Sequence, residues 1–155
     1  AGTGFLYVRQ DARERIRSAF APDATVEAPG FDPPGTKDFP VRVAIGAALD
    51  FVNTLGLENI ENRCRFLSDY LKAGLAEIKG VKLLSGHTPE ISAPGSTIFE
   101  KEGLDAMASV PMMEERIKTH IDEHQRDSHN AIRISTHVYN TKAEIDRLLE
   151  ALAKA

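Results

Sequence analysis

The sequence predicts an α+β domain, built on an open and largely antiparallel sheet with helices on one face. Two observations lead to this fold class. From about residue 57 onward, the pattern runs helix, two strands, helix, two strands, helix. Apolar residues recur every three or four positions in the helical segments and alternate with polar residues in the strands. We expect the earlier residues to be the end of a different unit.

The N-terminal third combines short elements with a proline-rich loop. Phe5–Val8 is typical of a strand, and Asp11 with Glu14 is typical of a capping box that starts a short helix. Residues 21–40 contain five prolines and two glycines, which exclude a regular element. Val41–Leu55 then has apolar residues at helical spacing.

The next segment predicts one long helix followed by two strands. A continuous apolar stripe runs through Glu58–Lys79, in which Cys64 is interpreted as a small buried hydrophobe. Beyond Gly80 the period changes to that of strands, at Val81–Leu84 and Ser96–Phe99. The predicted stripe comprises Ile60, Cys64, Leu67, Leu71, Leu75 and Ile78.

The C-terminal segment predicts a helix, two strands and a final helix. Gly103–Glu115 is typical of a helix that Pro111 kinks or restarts, and Ile117–Asp122 alternates like a strand. A turn at residues 127–130 leads to a strand around Arg133. In the final helix, Thr141 and Glu144 form a predicted capping box. Its predicted buried stripe comprises Ile145, Leu148, Leu149 and Leu152.

Composition excludes several classes of function. The chain has 155 residues and a net charge of −4 without a basic patch, which argues against a nucleic-acid partner. No apolar run approaches the roughly 20 residues of a membrane span, so we expect no membrane partner. The single cysteine, Cys64, excludes an internal disulfide and fits a cytoplasmic location.

Three groups of residues are candidates for chemistry. Arg133 is held by a strand just before a loop and a capped helix, and its two isoleucine neighbours are expected to face the core on the opposite side of the sheet. This position suits bidentate binding of a carboxylate, although an arginine on a solvated sheet face has the same pattern. Gly35 and Thr36 suit an anion, although an ordinary turn has the same pattern. His120 and His124 suit a metal only on a helix, so we predict no metal site.

Three collinear segments resemble the class V aminotransferase family of pyridoxal-phosphate (PLP) enzymes, particularly isopenicillin N epimerase-like members. Residues 2–9 (GTGFLYVR) resemble the strand that follows the family's Schiff-base lysine. Residues 35–49, with GTKD and AIGAAL, resemble its GT loop and linking helix. Residues 132–148, beginning IRISTHVYNT, resemble its closing strand and C-terminal helix.

This resemblance implies the C-terminal portion of a fold type I PLP enzyme. Residues 1–45 would end the large domain, and residues 46–155 would form the small domain. Arg133 would bind the α-carboxylate of an amino-acid substrate. Gly35 and Thr36 would bind the cofactor phosphate across the interface of a homodimer with a shared active site. The lysine would precede Ala1, so no catalytic residue is expected in this chain, and we expect it to be inactive alone.

The resemblance also bears on the type of reaction. Cysteine desulfurases of the family carry a nucleophilic cysteine shortly before the carboxylate arginine, whereas Ile117–Ile132 contains none. A desulfurase is therefore disfavoured, and epimerase, aminotransferase and lyase reactions stay open. The alternative is a stand-alone, non-catalytic interaction module. A piece of a larger domain is also expected to leave Phe5–Val8 and the Val41–Leu55 helix poorly covered.

Overall fold

The computed structural model describes residues 6–16 and 38–155, which divide into two compact units at Thr54 and Leu55. The first unit contains a 3-10 helix, Gln10–Arg15, and most of helix α1, Phe39–Leu55. The assignment of residues 1–45 to a large domain and of residues 46–155 to a small domain stays a prediction.

Two predictions for the first unit differ from the structure. Leu6–Val8 form no regular strand, and Phe5 lies outside the described residues. Asp11 is not the N-cap residue as predicted, because it lies inside the 3-10 helix. The N-cap residue is Arg9, whose side chain makes no capping hydrogen bond. Among the described residues of this unit, no residue of α1 is buried and Leu6 is exposed, whereas Val8 is partly buried.

The second unit has the predicted α+β architecture. Its helices are α2 (Leu57–Ala76), α3 (Ala106–Ile117) and α4 (Lys142–Ala153). The strands β1 (Val81–Leu83), β2 (Ser96–Lys101), β3 (Asp122–His124) and β4 (Ala131–Ser135) form a sheet in the order β1-β2-β4-β3. All three strand pairings are antiparallel, which confirms the predicted sheet type.

The core lies between one face of the sheet and the three helices. The α2 stripe supplies Leu67, Leu71 and Leu75, which are fully buried. Cys64, the single cysteine of the sequence, is also buried, as predicted, and has a free thiol. From the sheet, Phe99 contributes the largest fully buried side chain. From α4, the buried residues are Ile145, Leu148 and Leu152.

The prediction of a strand over Ile117–Asp122 is wrong. Helix α3 continues to Ile117 and ends at Lys118, whose φ of 53° is left-handed. The amides of Lys118 and Thr119 donate to carbonyls of the last turn, which closes the helix end. The apparent alternation therefore spans a helix end and a linker. Pro111 neither restarts nor ends the helix, because α3 runs through it as one element.

The capping box that begins α4 is confirmed. The Thr141 Oγ1 atom accepts a hydrogen bond from the Glu144 amide at 3.3 Å, and Glu144 Oε2 accepts from the Thr141 amide at 2.8 Å. Two amides that would otherwise lack a partner at the helix start are thus satisfied.

Replacement of Thr141 by alanine is expected to lower the free energy of unfolding by about 1 kcal/mol, because the Glu144 amide loses its acceptor. Urea denaturation followed by circular dichroism measures this change. Glu150→Ala, on an exposed position of the same helix, is the control and is expected to change it by less than about 0.5 kcal/mol. Equal effects of the two changes would contradict the role of the cap.

No single helix among the described residues is long and apolar enough to cross a membrane. Helices α1 and α2 reach such a length and apolar content only when they are counted together across the break at Gly56.

Candidate functional site

Arg133 is the central residue of β4 and lies on the sheet face opposite the helices. Side chains alternate between the two faces along a strand. Its neighbours Ile132 and Ile134 are buried in the core, as predicted, so Arg133 points to the open face. Its side chain is 45% exposed, which leaves the guanidinium accessible from solvent.

Arg133 has an apolar neighbour on one adjacent strand and an acidic neighbour on the other. In the register of the sheet, Ile98 of β2 lies opposite Arg133 on one side and Asp122 of β3 lies opposite it on the other. The Arg133 Nη2 atom donates a hydrogen bond to Asp122 Oδ2 at 2.6 Å. Since both side chains are more than a third exposed, this ion pair contributes at most about 1 kcal/mol to stability.

The Asp122 carboxyl group is held in its charged form. The hydrogen bond and the positive charge of Arg133 lower the pKa of Asp122, against a smaller opposing effect of burial. The His120 imidazole lies nearby, with Nε2 at 3.7 Å from Asp122 Oδ1 and Nδ1 at 3.8 Å from Glu114 Oε2. Asp122 thus has the Arg133 guanidinium at its Oδ2 atom and the His120 ring near its Oδ1 atom.

Arg133 keeps hydrogen-bonding capacity beyond its contact with Asp122. A guanidinium group has five N–H donors arranged along two edges, each of which fits a carboxylate. Within residues 6–16 and 38–155, Asp122 is the one hydrogen-bond partner of the Arg133 side chain, through a single nitrogen. An edge with two donors therefore stays available for a second carboxylate.

The other predicted residues fall into two groups. Gly35 and Thr36 lie outside the described residues. His120 precedes β3 and His124 ends it. In the described part of the chain, no group of three or more histidine, cysteine, aspartate or glutamate side chains is arranged to hold a metal ion.

Asp122 is not among the site residues predicted from the sequence, although the predicted turn contains a signal for it. The predicted turn contains Asp127 and Ser128, both of which adopt positive φ. A hairpin centred between these two residues pairs position 122 with position 133, as the register of β3 and β4 shows. Counting outward from the turn therefore finds the carboxylate opposite the arginine.

A comparison with protein-family models matches residues 1–148 to the family described as aminotransferase class V. The chain belongs to this class V aminotransferase family. The resemblance predicted from the three collinear segments is thus confirmed. PLP is the cofactor of this family.

Relatives within the class V family carry different names. A probable cysteine desulfurase from Synechocystis sp. is 29% identical over 170 residues, which cover 97% of this chain and 40% of the relative. An isopenicillin N epimerase from Streptomyces clavuligerus is 32% identical over 118 residues, which cover 76% of this chain and 30% of the relative. The chain thus spans well under half the length of these relatives.

Two solved structures share the fold of this chain. The complex of the cystine C-S lyase C-DES with its product cysteine persulfide has a TM-score of 0.75 and 22% identity, covering 95% of this chain and 41% of that one. The apo structure of cysteine desulfurase from Thermococcus onnurineus NA1 has a TM-score of 0.76 and 18% identity, covering 96% and 41%. These likenesses confirm the fold type I assignment.

Proposed function

We propose that this chain is the C-terminal portion of a PLP-dependent enzyme that acts on an amino acid, and that Arg133 binds the substrate's α-carboxylate. The observation that carries the proposal is the outward guanidinium of Arg133, which lies at the centre of β4 with a donor edge still available. A bidentate arginine–carboxylate contact fixes both the position and the orientation of its ligand.

The described residues fit the substrate rather than the cofactor. Arg133 has the donor geometry for a carboxylate, whereas the phosphate of PLP is assigned to Gly35 and Thr36 by the family resemblance alone. When bound, PLP withdraws electrons from the substrate carbon that loses a bond. Arg133 is proposed to bind the carboxylate and so to orient the rest of the amino acid. This orientation lowers the entropic part of the activation free energy.

The type of reaction is proposed from the position of the cysteine. The segment between α3 and β4 contains no cysteine, and Cys64 is 5% exposed in the core stripe of α2. A nucleophilic thiolate needs access to substrate, which this position does not provide. We therefore propose an epimerase, aminotransferase or non-thiol lyase, although relatives carry both the epimerase and the desulfurase names.

The remaining features of the proposal follow the family resemblance. The enzyme is proposed to be a cytoplasmic homodimer in which Gly35 and Thr36 reach the partner's cofactor. The 155 residues alone are proposed to show no turnover, because the resemblance assigns none of them the role of the family's Schiff-base lysine.

Replacement of Arg133 by alanine in the full-length, PLP-loaded enzyme is expected to weaken amino-acid binding on the order of 100-fold, because a charge-assisted bidentate contact is lost. A panel of L-amino acids is first screened through the change each causes in the cofactor's absorbance. The dissociation constant of the best ligand is then measured in both proteins, beside that of its carboxamide.

The carboxamide is the discriminating ligand, because it lacks the negative charge. Its affinity is expected to change by less than about threefold in the Arg133→Ala enzyme. Arg126→Ala, on the exposed turn before β4, is the matched arginine control and is expected to leave both affinities unchanged. Equal losses for the amino acid and its amide, or no loss for either, would refute a carboxylate-binding role of Arg133.

A further inference from the structure

Asp122 and Arg133 form a cross-strand pair on the open face of the sheet. They are directly opposite in the register of β3 and β4, so their side chains leave the sheet on the same side at short range. The other strand beside Arg133 presents Ile98, an apolar residue without side-chain hydrogen-bonding groups. Among the described residues, Asp122 is the hydrogen-bond partner of the guanidinium and so favours one direction for it.

The hydrogen bond between Asp122 and Arg133 orients the guanidinium without consuming a whole edge. The Nη2 atom carries two hydrogens, one on each of two edges of the guanidinium plane. Asp122 uses Oδ2 alone, at 2.6 Å from Nη2, and its Oδ1 atom faces His120. Asp122 accepts one of the two Nη2 hydrogens and so occupies one edge of the guanidinium. The other edge keeps two N–H groups for a ligand, whichever of the two hydrogens Asp122 accepts.

An arginine without such a partner samples many rotamers, and ordering it on ligand binding costs free energy. The Asp122 charge restricts this freedom before the ligand arrives. Asp122 is also held as a carboxylate by the same contact, so the restraint is present at neutral pH.

We propose that Asp122 is the positioning residue of the carboxylate site: it holds Arg133 by one N–H so that a two-donor edge faces the substrate. This inference rests on the proposed function of Arg133 and assigns Asp122 no direct contact with substrate. Asp122 acts only through the orientation of the guanidinium.

A double-mutant cycle in the full-length, PLP-loaded enzyme tests this inference, with the best-binding amino acid from the panel as the ligand. Asp122→Ala is expected to raise its dissociation constant about fivefold, which is the order expected for ordering one flexible side chain. In the Arg133→Ala background, the same change is expected to have less than about a 1.5-fold effect, because the orientation of an absent guanidinium does not matter.

Asp122→Asn provides a milder variant, because the amide oxygen still accepts a hydrogen bond while the charge is lost. We expect an effect between those of the unchanged enzyme and Asp122→Ala. In the 155-residue chain, the order parameter of the Arg133 Nε–Hε group from NMR relaxation is expected to fall in Asp122→Ala, which reports positioning without any ligand.

The outcomes separate the two proposals. Tighter amino-acid binding in Asp122→Ala would show that Asp122 competes with the ligand, and equal losses in both backgrounds would show a general structural effect. Either result overturns the positioning role and leaves Arg133 as the carboxylate-binding residue. If Arg133→Ala alone has no effect on binding, the proposed function fails, and the role of Asp122 fails with it.

Discussion

Replacement of Phe99 by alanine is expected to lower the free energy of unfolding of the 155-residue chain by about 3–5 kcal/mol. Phe99 is fully buried and is the largest side chain that the sheet contributes to the core. It lies opposite Leu83 of β1 and Ile132 of β4 in the register, so its loss opens a cavity at the centre of the sheet. Since whole domains are stable by about 5–15 kcal/mol, this single change is expected to unfold a large fraction of the chain at modest denaturant concentrations.

Urea denaturation followed by circular dichroism measures this loss, and Ile98→Ala is its matched control. Ile98 precedes Phe99 on the same strand but lies on the open face and is only partly buried. Its replacement is expected to cost less than half as much, because less apolar surface returns to water and no enclosed cavity forms. Equal costs at the two positions would contradict the assignment of the core to the helix-covered face.

Replacement of Gly95 by alanine is expected to lower the free energy of unfolding by about 3 kcal/mol, at the upper end of the cost of overpacking. A Cβ atom at this position would overlap the carbonyl oxygen of Thr136. This oxygen belongs to the backbone, so no side-chain rotation relieves the clash. The Thr136 amide also donates to the Gly95 carbonyl at 2.8 Å, so separating the two segments loses a hydrogen bond just beyond the ends of β2 and β4.

The effect of Gly95→Ala is measured by urea denaturation, with Gly46→Ala as the control. A Cβ atom at Gly46 meets nothing within 4 Å, and Gly46 lies in the interior of α1. The control is therefore expected to stabilise the chain slightly, because alanine favours a helix more than glycine does. An unchanged midpoint for Gly95→Ala would show that β2 and β4 separate at this end at little cost.

The elements that the sequence predicted well are those whose apolar pattern is long. The stripe through Leu67, Leu71 and Leu75 places one face of α2 in the core, and the pattern extends over several turns. The start of α4 was predicted to the residue, because the Thr141–Glu144 capping box is a local interaction between neighbours in the sequence.

In the segment between α3 and β3, the prediction of a strand from the apolar pattern is wrong. Six residues of alternating polarity at Ile117–Asp122 cannot distinguish a strand from the end of a helix followed by a linker. The left-handed conformation of Lys118 ends α3, and four residues later the chain joins the sheet at Asp122. Strand β3 is only three residues long, so its own sequence carries little strand preference. Its conformation is set by pairing with β4.

The sequence by itself determined the α+β class, the family and the outward direction of Arg133, because each depends on patterns within a continuous stretch of chain. The partner of that arginine was decided only by the tertiary structure. Asp122 lies 11 residues earlier, and it meets Arg133 because two strands pair in one register. Register is set by the turn and by the burial of whole strand faces, so a one-residue slip would place a different side chain beside the guanidinium.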